Sequence, residues 1–357
     1  MKILHTADLH LKKHGDERWQ ALQTLLQIGE REQISLLAIS GDLFDQGADL
    51  LKLQDRVREA FSGRPFTVLV LPGNHDYAAY SGGIYLGANA VILTDWETPF
   101  AHGDLLIWGL PHSSSDREGG TVLDRLHALS GRLSAGKRHL LLYHGELLDT
   151  FYARQELGDE GAARYMPVKL SHFQGLPFDY VLAGHFHTNF TVRTLDRGGY
   201  FVYPGSPVSI TRRETGRRKV NLFTPGGPPG EYRLDTPHYA TVNITLDPFA
   251  GSDPLAQLAE ALDGLHPAAR LILTVSGYID GSRGVAESDL AHRVEQLTAG
   301  RCAAPPELTF QDIRVVLEDD LFKSFLTRLD RAASDDPARR ARQREFAVRA
   351  MMEAKLC

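Results

Sequence analysis

Six short apolar runs, each ending against glycine or a polar cluster, set the tightest limit on how this chain can fold. They are residues 2–7, 36–40, 67–71, 105–110, 139–143 and 180–183. Runs this short and this continuously apolar read as strands buried on both faces of a sheet. Amphipathic stretches such as 16–30 and 49–61 fall between them and read as helices. Strand and helix in alternation predict an α/β architecture. After Gly184 the style changes: segments 189–195, 199–203, 220–223 and 231–234 are strand-like with no long helix between them. They predict an antiparallel second sheet or meander.

The 357 residues suffice for one large core and a smaller domain. The core is expected to span 1–236, with 224–230, rich in proline and glycine, as a surface loop. Residues 237–318 show a β-α-β-α-β pattern with strands near 239–246, 270–276 and 307–317 and helices near 254–262 and 288–299. They predict a small α+β domain. Residues 319–357 predict a helical tail, broken at Asp335-Asp336-Pro337.

Chemistry gathers in five places: Asp8-Leu9-His10, Gly41-Asp42, Gly73-Asn74-His75-Asp76, His144-Gly145 and Gly184-His185-Phe186-His187. Each follows a predicted strand at its C-terminal end, the edge where open α/β sheets bind ligands. Two residues apart on an extended strand, side chains share a side, so Asp8 and His10, and again His185 and His187, can face one site. Carboxylates, imidazoles and one amide suit divalent manganese or iron in five- or six-fold coordination rather than a closed thiolate zinc site. Asp42 has two oxygens with which to bridge a pair of ions, and two ions about 4 Å apart clamp a phosphate and activate a water. The two cysteines, Cys302 and Cys357, make neither a disulfide framework nor a cysteine zinc site, and fit a reducing compartment. A net charge of −6 gives no general affinity for polyanions, so such a substrate needs local positive charge. The N-terminus has no signal-peptide pattern, and no run approaches the roughly 20 apolar residues of a membrane span; a cytoplasmic location is expected. With no Walker A loop, any ATP dependence must come from a partner.

The five motifs in this order resemble the calcineurin-like metallophosphoesterases over residues 1 to about 225. The resemblance implies two facing mixed sheets flanked by helices, with a two-metal site on their rims. By that resemblance Asp8, His10, Asp42 and His187 bind one ion, and Asp42, Asn74, His144 and His185 the other. His75 is then the histidine that meets the phosphate and protonates the leaving oxygen, and Asp76 hydrogen-bonds His75 to fix its orientation.

Within that superfamily the opening from Met1 to Leu11, the stretch Gly41-Asp42-Leu43-Phe44-Asp45 and Tyr203-Pro204-Gly205-Ser206-Pro207 look like the SbcD family of DNA-repair nucleases. That likeness implies a manganese-dependent exonuclease and endonuclease acting on DNA, with iron or magnesium as other possible ions. It implies a capping domain that helps bind duplex, a helical tail that docks on an SbcC-type coiled-coil ABC ATPase, and a homodimer. Lys12-Lys13 replaces the glycine that often follows Asp-x-His-Leu, and Asp45 stands where archaeal members carry a second active-site histidine. Lys12, just past Asp8-x-His10, and Arg212 and Arg213 are the expected contacts to the DNA backbone; the two arginines lie in a cluster with Arg217, Arg218 and Lys219 that reads equally as a solvated hairpin tip. The rival reading is a small-molecule phosphodiesterase or phosphatase, such as a cyclic-nucleotide hydrolase.

Overall fold

A computed structural model describes residues 1–113, 120–149, 165–249, 253–331 and 336–356. Two compact units emerge, Met1–Tyr239 and Ala240–Cys357.

The first unit begins β1 (Ile3–Thr6), α1 (Glu17–Arg31), β2 (Leu36–Ser40), α2 (Gly47–Phe61) and β3 (Thr67–Leu71). There follow β4 (Ala90–Ile92), β5 (Phe100–His102), β6 (Leu105–Leu110), α3 (Gly120–Ser130), β7 (Arg138–His144) and β8 (Tyr180–Gly184). It continues through β9 (Thr191–Thr194), β10 (Tyr200–Tyr203), β11 (Lys219–Phe223) and β12 (Glu231–Arg233). The six predicted runs are β1, β2, β3, β6, β7 and β8, and helix α1 starts where Asp16 caps the amide of Trp19 at 2.9 Å.

Two six-stranded sheets result, in the orders β12-β11-β1-β2-β3-β4 and β5-β6-β7-β8-β10-β9. β1, β2 and β3 run parallel, as do β6, β7 and β8. The segments after Gly184 do not make a sheet of their own. β9 and β10 pair antiparallel, but β10 lies parallel to β8; β11 and β12 return to the first sheet, with β11 antiparallel to β1. Local patterning reveals that such strands form hairpins, but not which open sheet edge each hairpin extends. β4 and β5 span three residues each, too short for a periodicity to register.

Alternate residues of each strand serve different layers. Leu4, Leu37, Ile39 and Val68 pack on Leu22, Leu26, Leu50 and Val57 of the first two helices. Ile3, Leu36 and Leu69 meet Ile107, Leu140 and Leu182 between the sheets. Leu141, Tyr143 and Val181 face Val122, Leu126 and Leu129 of α3. The helix-sheet-sheet-helix order follows, and each fully buried Leu, Ile or Val contributes roughly 1.5–3 kcal/mol to it. Ser40, at the end of β2, donates its hydroxyl to the Leu182 carbonyl of β8 at 2.8 Å, which brings the C-terminal strand ends of both sheets together.

The second unit is built on β13 (His238–Leu246), whose first residues belong to the first unit. It adds α4 (Pro254–Leu262), β14 (Ala269–Ile279), α5 (Glu287–Leu297), β15 (Glu307–Asp312), α6 (Arg314–Leu317), α7 (Asp320–Arg331) and α8 (Pro337–Leu356). The sheet order is β13-β14-β15, with β14 and β15 parallel. Leu258, Leu290 and Val294 cover Ile244, Leu271 and Val275. Residues 307–317, expected as one strand, divide into β15 and α6. Of the apolar residues that recur at helical spacing early in the tail, Phe322 and Leu329 are buried and Phe325 and Leu326 partly so, against a cluster with Phe249, Tyr278 and Val348. Leu321 and Phe346 point outward, 73% and 74% exposed. The tail break falls where α8 begins at Pro337; residues 332–335 lie outside the described residues.

Candidate metal centre

All five motifs arrive at one rim of the first unit. Asp8, His10, Asp42, His144, His185 and His187 are buried there, with Asn74 and His75 partly so. Three groups of ligand atoms fall within 4.8 Å of one another: Asp8, His10 and His187; Asp8, Asp42 and His144; and His10, Asp42 and His75. Asn74 joins through its side-chain Oδ1, 2.8 Å from His144 Nε2. The His185 ring stands edge-on to His144, centroids 5.5 Å apart, while its backbone N–H donates to both Asp8 oxygens at 3.0 and 3.1 Å.

The strand ends reach this geometry through unusual backbone. Six non-glycine residues among those described have positive φ, and four are site residues: Asp8 (57°), His10 (48°), Asp42 (50°) and His185 (104°). Left-handed backbone disfavours L residues, and such outliers concentrate at functional sites. Glycines clear the space around them: a Cβ on Gly41 would enter the His144 ring, and one on Gly73 would strike the Asp42 carboxylate.

The proton inventory shows what the rim is built to hold. Ser40 offers a carbonyl, which only accepts, so His144 Nδ1 donates to it at 2.8 Å. His144 Nε2 then faces Asn74 Oδ1 and Asp42 Oδ2, the latter at 3.1 Å. Asp42 Oδ2 is buried without hydrogen-bond geometry to any described group. On the other side His10 Nε2 and His187 Nε2 stand 3.2 Å apart, room for one proton at most. Two carboxylates, three imidazoles and an amide oxygen converge on the same space, a donor set that fits divalent cations once the imidazole protons are displaced.

Titration follows the same logic. Burial pushes Asp42 up, but the rings of His144, His10 and His75 outweigh it and hold the carboxyl well below the usual range. Burial pushes His144 down, but Asp42 and Asp8 outweigh it and raise the imidazole to about 10. Asp8 is raised, chiefly by burial.

His75 has a distinct attachment. Its ring Nδ1 meets the Asp45 carbonyl at 2.9 Å, its backbone N–H donates to Asp42 Oδ1 at 2.9 Å, and its ring stands edge-on to His10 at 4.7 Å. The expected bond from Asp76 to His75 is not formed. The Asp76 carboxylate accepts from the backbone N–H groups of Gly73 (2.9 Å) and Phe44 (3.1 Å) and from the Tyr80 hydroxyl (3.3 Å), so it braces the turn that carries Asn74 and His75. Burial, with Asp42 nearby, raises it to about 7. Residues adjacent on a tight turn point apart, and the turn's own amides lie nearer than the next ring.

Lys12 pairs with Asp45 at 3.1 Å beside His10 and is exposed, as are Arg212 and Arg213. Arg218 leaves the expected basic surface: it is 3% exposed and donates inward to the Ser206 and His187 carbonyls. Arg217 is paired with Asp235.

Some of the site was not anticipated. Asp45 lies 3.5 Å from His10 Nδ1 and also accepts from Arg18 at 2.7 Å. The His10 ring, ahead of Arg18 and Lys12, holds its carboxyl well below the usual range. Glu214 lies 3.4 Å from His187 Nδ1. His112 sits between Tyr77 and Tyr165, ring centroids 4.9 and 5.9 Å away, and Tyr165 lies 5.1 Å from His185. Of this partly exposed aromatic row, His112 was legible as part of a loop after Gly109-Leu110-Pro111 that could reach the site, while the lone tyrosines carried no spacing by which to find them.

Residues 1–189 match the sequence family described as calcineurin-like phosphoesterase. No curated protein matches the chain. Among solved structures, TT1561 of Thermus thermophilus superposes with a TM-score of 0.40 at 15% identity, over 61% of this chain and 92% of that one. A dimetal phosphatase from Danio rerio gives 0.42 at 13% identity, over 62% and 91%. The NAD nucleotidase NadN of Haemophilus influenzae gives 0.39 at 13%, over 76% and 57%. With more than half its length in that family match, and the family's motifs gathered at one rim, the chain belongs to the calcineurin-like phosphoesterases.

Proposed function

We propose that this phosphoesterase is a DNA exonuclease and endonuclease of the SbcD type, acting with manganese and with an SbcC-type ATPase. The family's reaction is phosphoester hydrolysis at two divalent ions, and the grouped side chains fit two. When bound, the ions supply Lewis-acid charge to the phosphate and activate a water. Asp8, His10, Asp42 and His187 would hold one, and Asp42, Asn74, His144 and His185 the other.

The observation that carries the reading beyond the family is the conjunction of a complete ligand set with a second unit, Ala240–Cys357, of a sheet and five helices among the described residues. By the SbcD resemblance, such a unit supplies a cap over the centre and a tail for the ATPase. His75 is the proton donor to the departing oxygen. With Nδ1 committed to the Asp45 carbonyl, a proton on Nε2 is the one available for transfer. Lys12, Arg212 and Arg213 supply exposed cations for a sugar-phosphate backbone in a chain whose net charge is −6. Outward Leu321 and Phe346 on the tail offer apolar contacts to the ATPase.

The test is digestion of end-labelled linear duplex DNA with manganese, wild type against His75→Ala. Loss of label from the ends by wild type alone supports the nuclease. Intact DNA, with hydrolysis of bis(p-nitrophenyl) phosphate under the same conditions and no gain on adding the ATPase, moves the substrate to small phosphodiesters.

A further inference from the structure

His187 is gripped from behind by residues outside the five motifs. Glu214 is completely buried. Besides His187 Nδ1, its carboxylate meets the backbone N–H groups of Ile210 at 2.8 Å and Thr211 at 3.0 Å, and the hydroxyls of Ser206 at 3.1 Å and Thr211 at 3.2 Å. Two backbone amides and two hydroxyls thus point at its oxygens, the surroundings that suit an ionised carboxylate in the interior. Arg218 sits close by, donating to the Ser206 carbonyl at 3.0 Å, to its hydroxyl at 3.2 Å and to the His187 carbonyl, while the Ser206 amide donates to that same His187 carbonyl at 2.9 Å. The Pro204-Gly205-Ser206-Pro207 segment is thereby a clamp on one residue of the rim.

A charged carboxylate only accepts, so the contact to His187 places a proton on Nδ1 and leaves the lone pair on Nε2. Nε2 is the nitrogen that faces inward, 3.2 Å from His10 Nε2 and 3.8 Å from Asp8 Oδ1. His10 has a looser counterpart in Asp45, 16% exposed and shared with Arg18 and Lys12.

We propose that Glu214 is a positioning residue of the metal centre: held by Ser206 and the 210–211 amides, it fixes His187 in the tautomer and orientation that present Nε2 to an ion shared with Asp8 and His10. Partners of this kind orient a ligand and raise its basicity, and their loss costs roughly 10–100-fold in metal affinity. The inference rests on the two-ion reading of the rim.

Manganese binding to the full chain, followed by calorimetry and by the EPR signal of free manganese, separates the two ideas. Wild type is expected to bind two ions. Glu214→Gln is expected to lose roughly tenfold or more at one of them and to leave the other unchanged. A second measurement needs no folded Glu214 variant: ring-nitrogen NMR of the zinc-loaded wild type, with the His187 signal identified by its loss in His187→Gln, is expected to show the proton on Nδ1. Unchanged affinity at both ions in Glu214→Gln, or an Nε2 proton on His187, overturns the role of Glu214. A wild type that binds no manganese removes the metal reading itself, and this proposal with it.

Discussion

His5 and His144 are both fully buried in the first unit, on strands of opposite sheets, and they titrate in opposite directions. Burial pushes His5 down to about 3. Burial acts on His144 the same way, but Asp42 and Asp8 overcome it and raise the ring to about 10. The sheet interior therefore demands neutral groups, while the rim demands positive charge. Three positions along the chain from His5, Asp8 already belongs to the second regime. Protons on imidazoles and divalent ions compete for the same demand, so metal binding at the rim releases protons.

Removing the charge that distinguishes the rim has the largest effect. Asp42 faces the imidazoles on both sides, so Asp42→Ala is expected to abolish manganese binding and to cut hydrolysis of bis(p-nitrophenyl) phosphate well beyond the roughly 100-fold cost of losing an outer partner. Retained activity would mean that the rim's charge does not hold the ions. His75→Ala is expected to lower kcat by roughly 10²–10⁴-fold with manganese affinity unchanged, because a proton donor is lost and no ligand. A fall in affinity of the same size would make His75 a ligand instead.

Asp45→Asn tests the partly solvated support of His10. Calorimetry is expected to find metal affinity weakened by roughly tenfold, at the lower end for an outer partner because Arg18 and Lys12 already share the carboxylate. The smallest effect on catalysis belongs to His5→Phe, expected to leave turnover alone and change acid stability. The unfolded chain binds a proton at His5 near pH 6.5, and the folded chain only near 3. Stability from neutral burial is thus complete above 6.5 and falls away as pH drops toward 3. The unfolding temperature of the variant should fall less between pH 7 and 4.5 than that of wild type; an equal fall would place the acid sensitivity in the carboxylates instead.

What the sequence revealed divides along the same line. Strand-end polar groups were legible because each ends a short, continuous apolar run, and runs that form buried parallel strands leave little ambiguity about their ends. Glu214 was not, because it lies 27 residues beyond His187, inside a stretch dominated by arginine, where nothing local tells an inward carboxylate from a surface one. Arg218 was misread for the same reason. Asp45 registered only as the absence of a histidine. The Asp76 contact to His75 came from the family resemblance alone, and nothing local in the sequence shows that the turn sends Asp76 to its own amides and to Tyr80. Sheet membership of β9 to β12 depends on which edge is open, a property of the assembled fold.

The left-handed backbone at Asp8, His10, Asp42 and His185 bears on how this protein changes under selection. Each residue held in such a conformation destabilises the fold by roughly 1–3 kcal/mol. A library screened for heat resistance alone should drift toward glycine at these four positions and discard the centre as it improves. Hardening this enzyme therefore requires that catalysis be scored in every round, or that the four codons be fixed from the start.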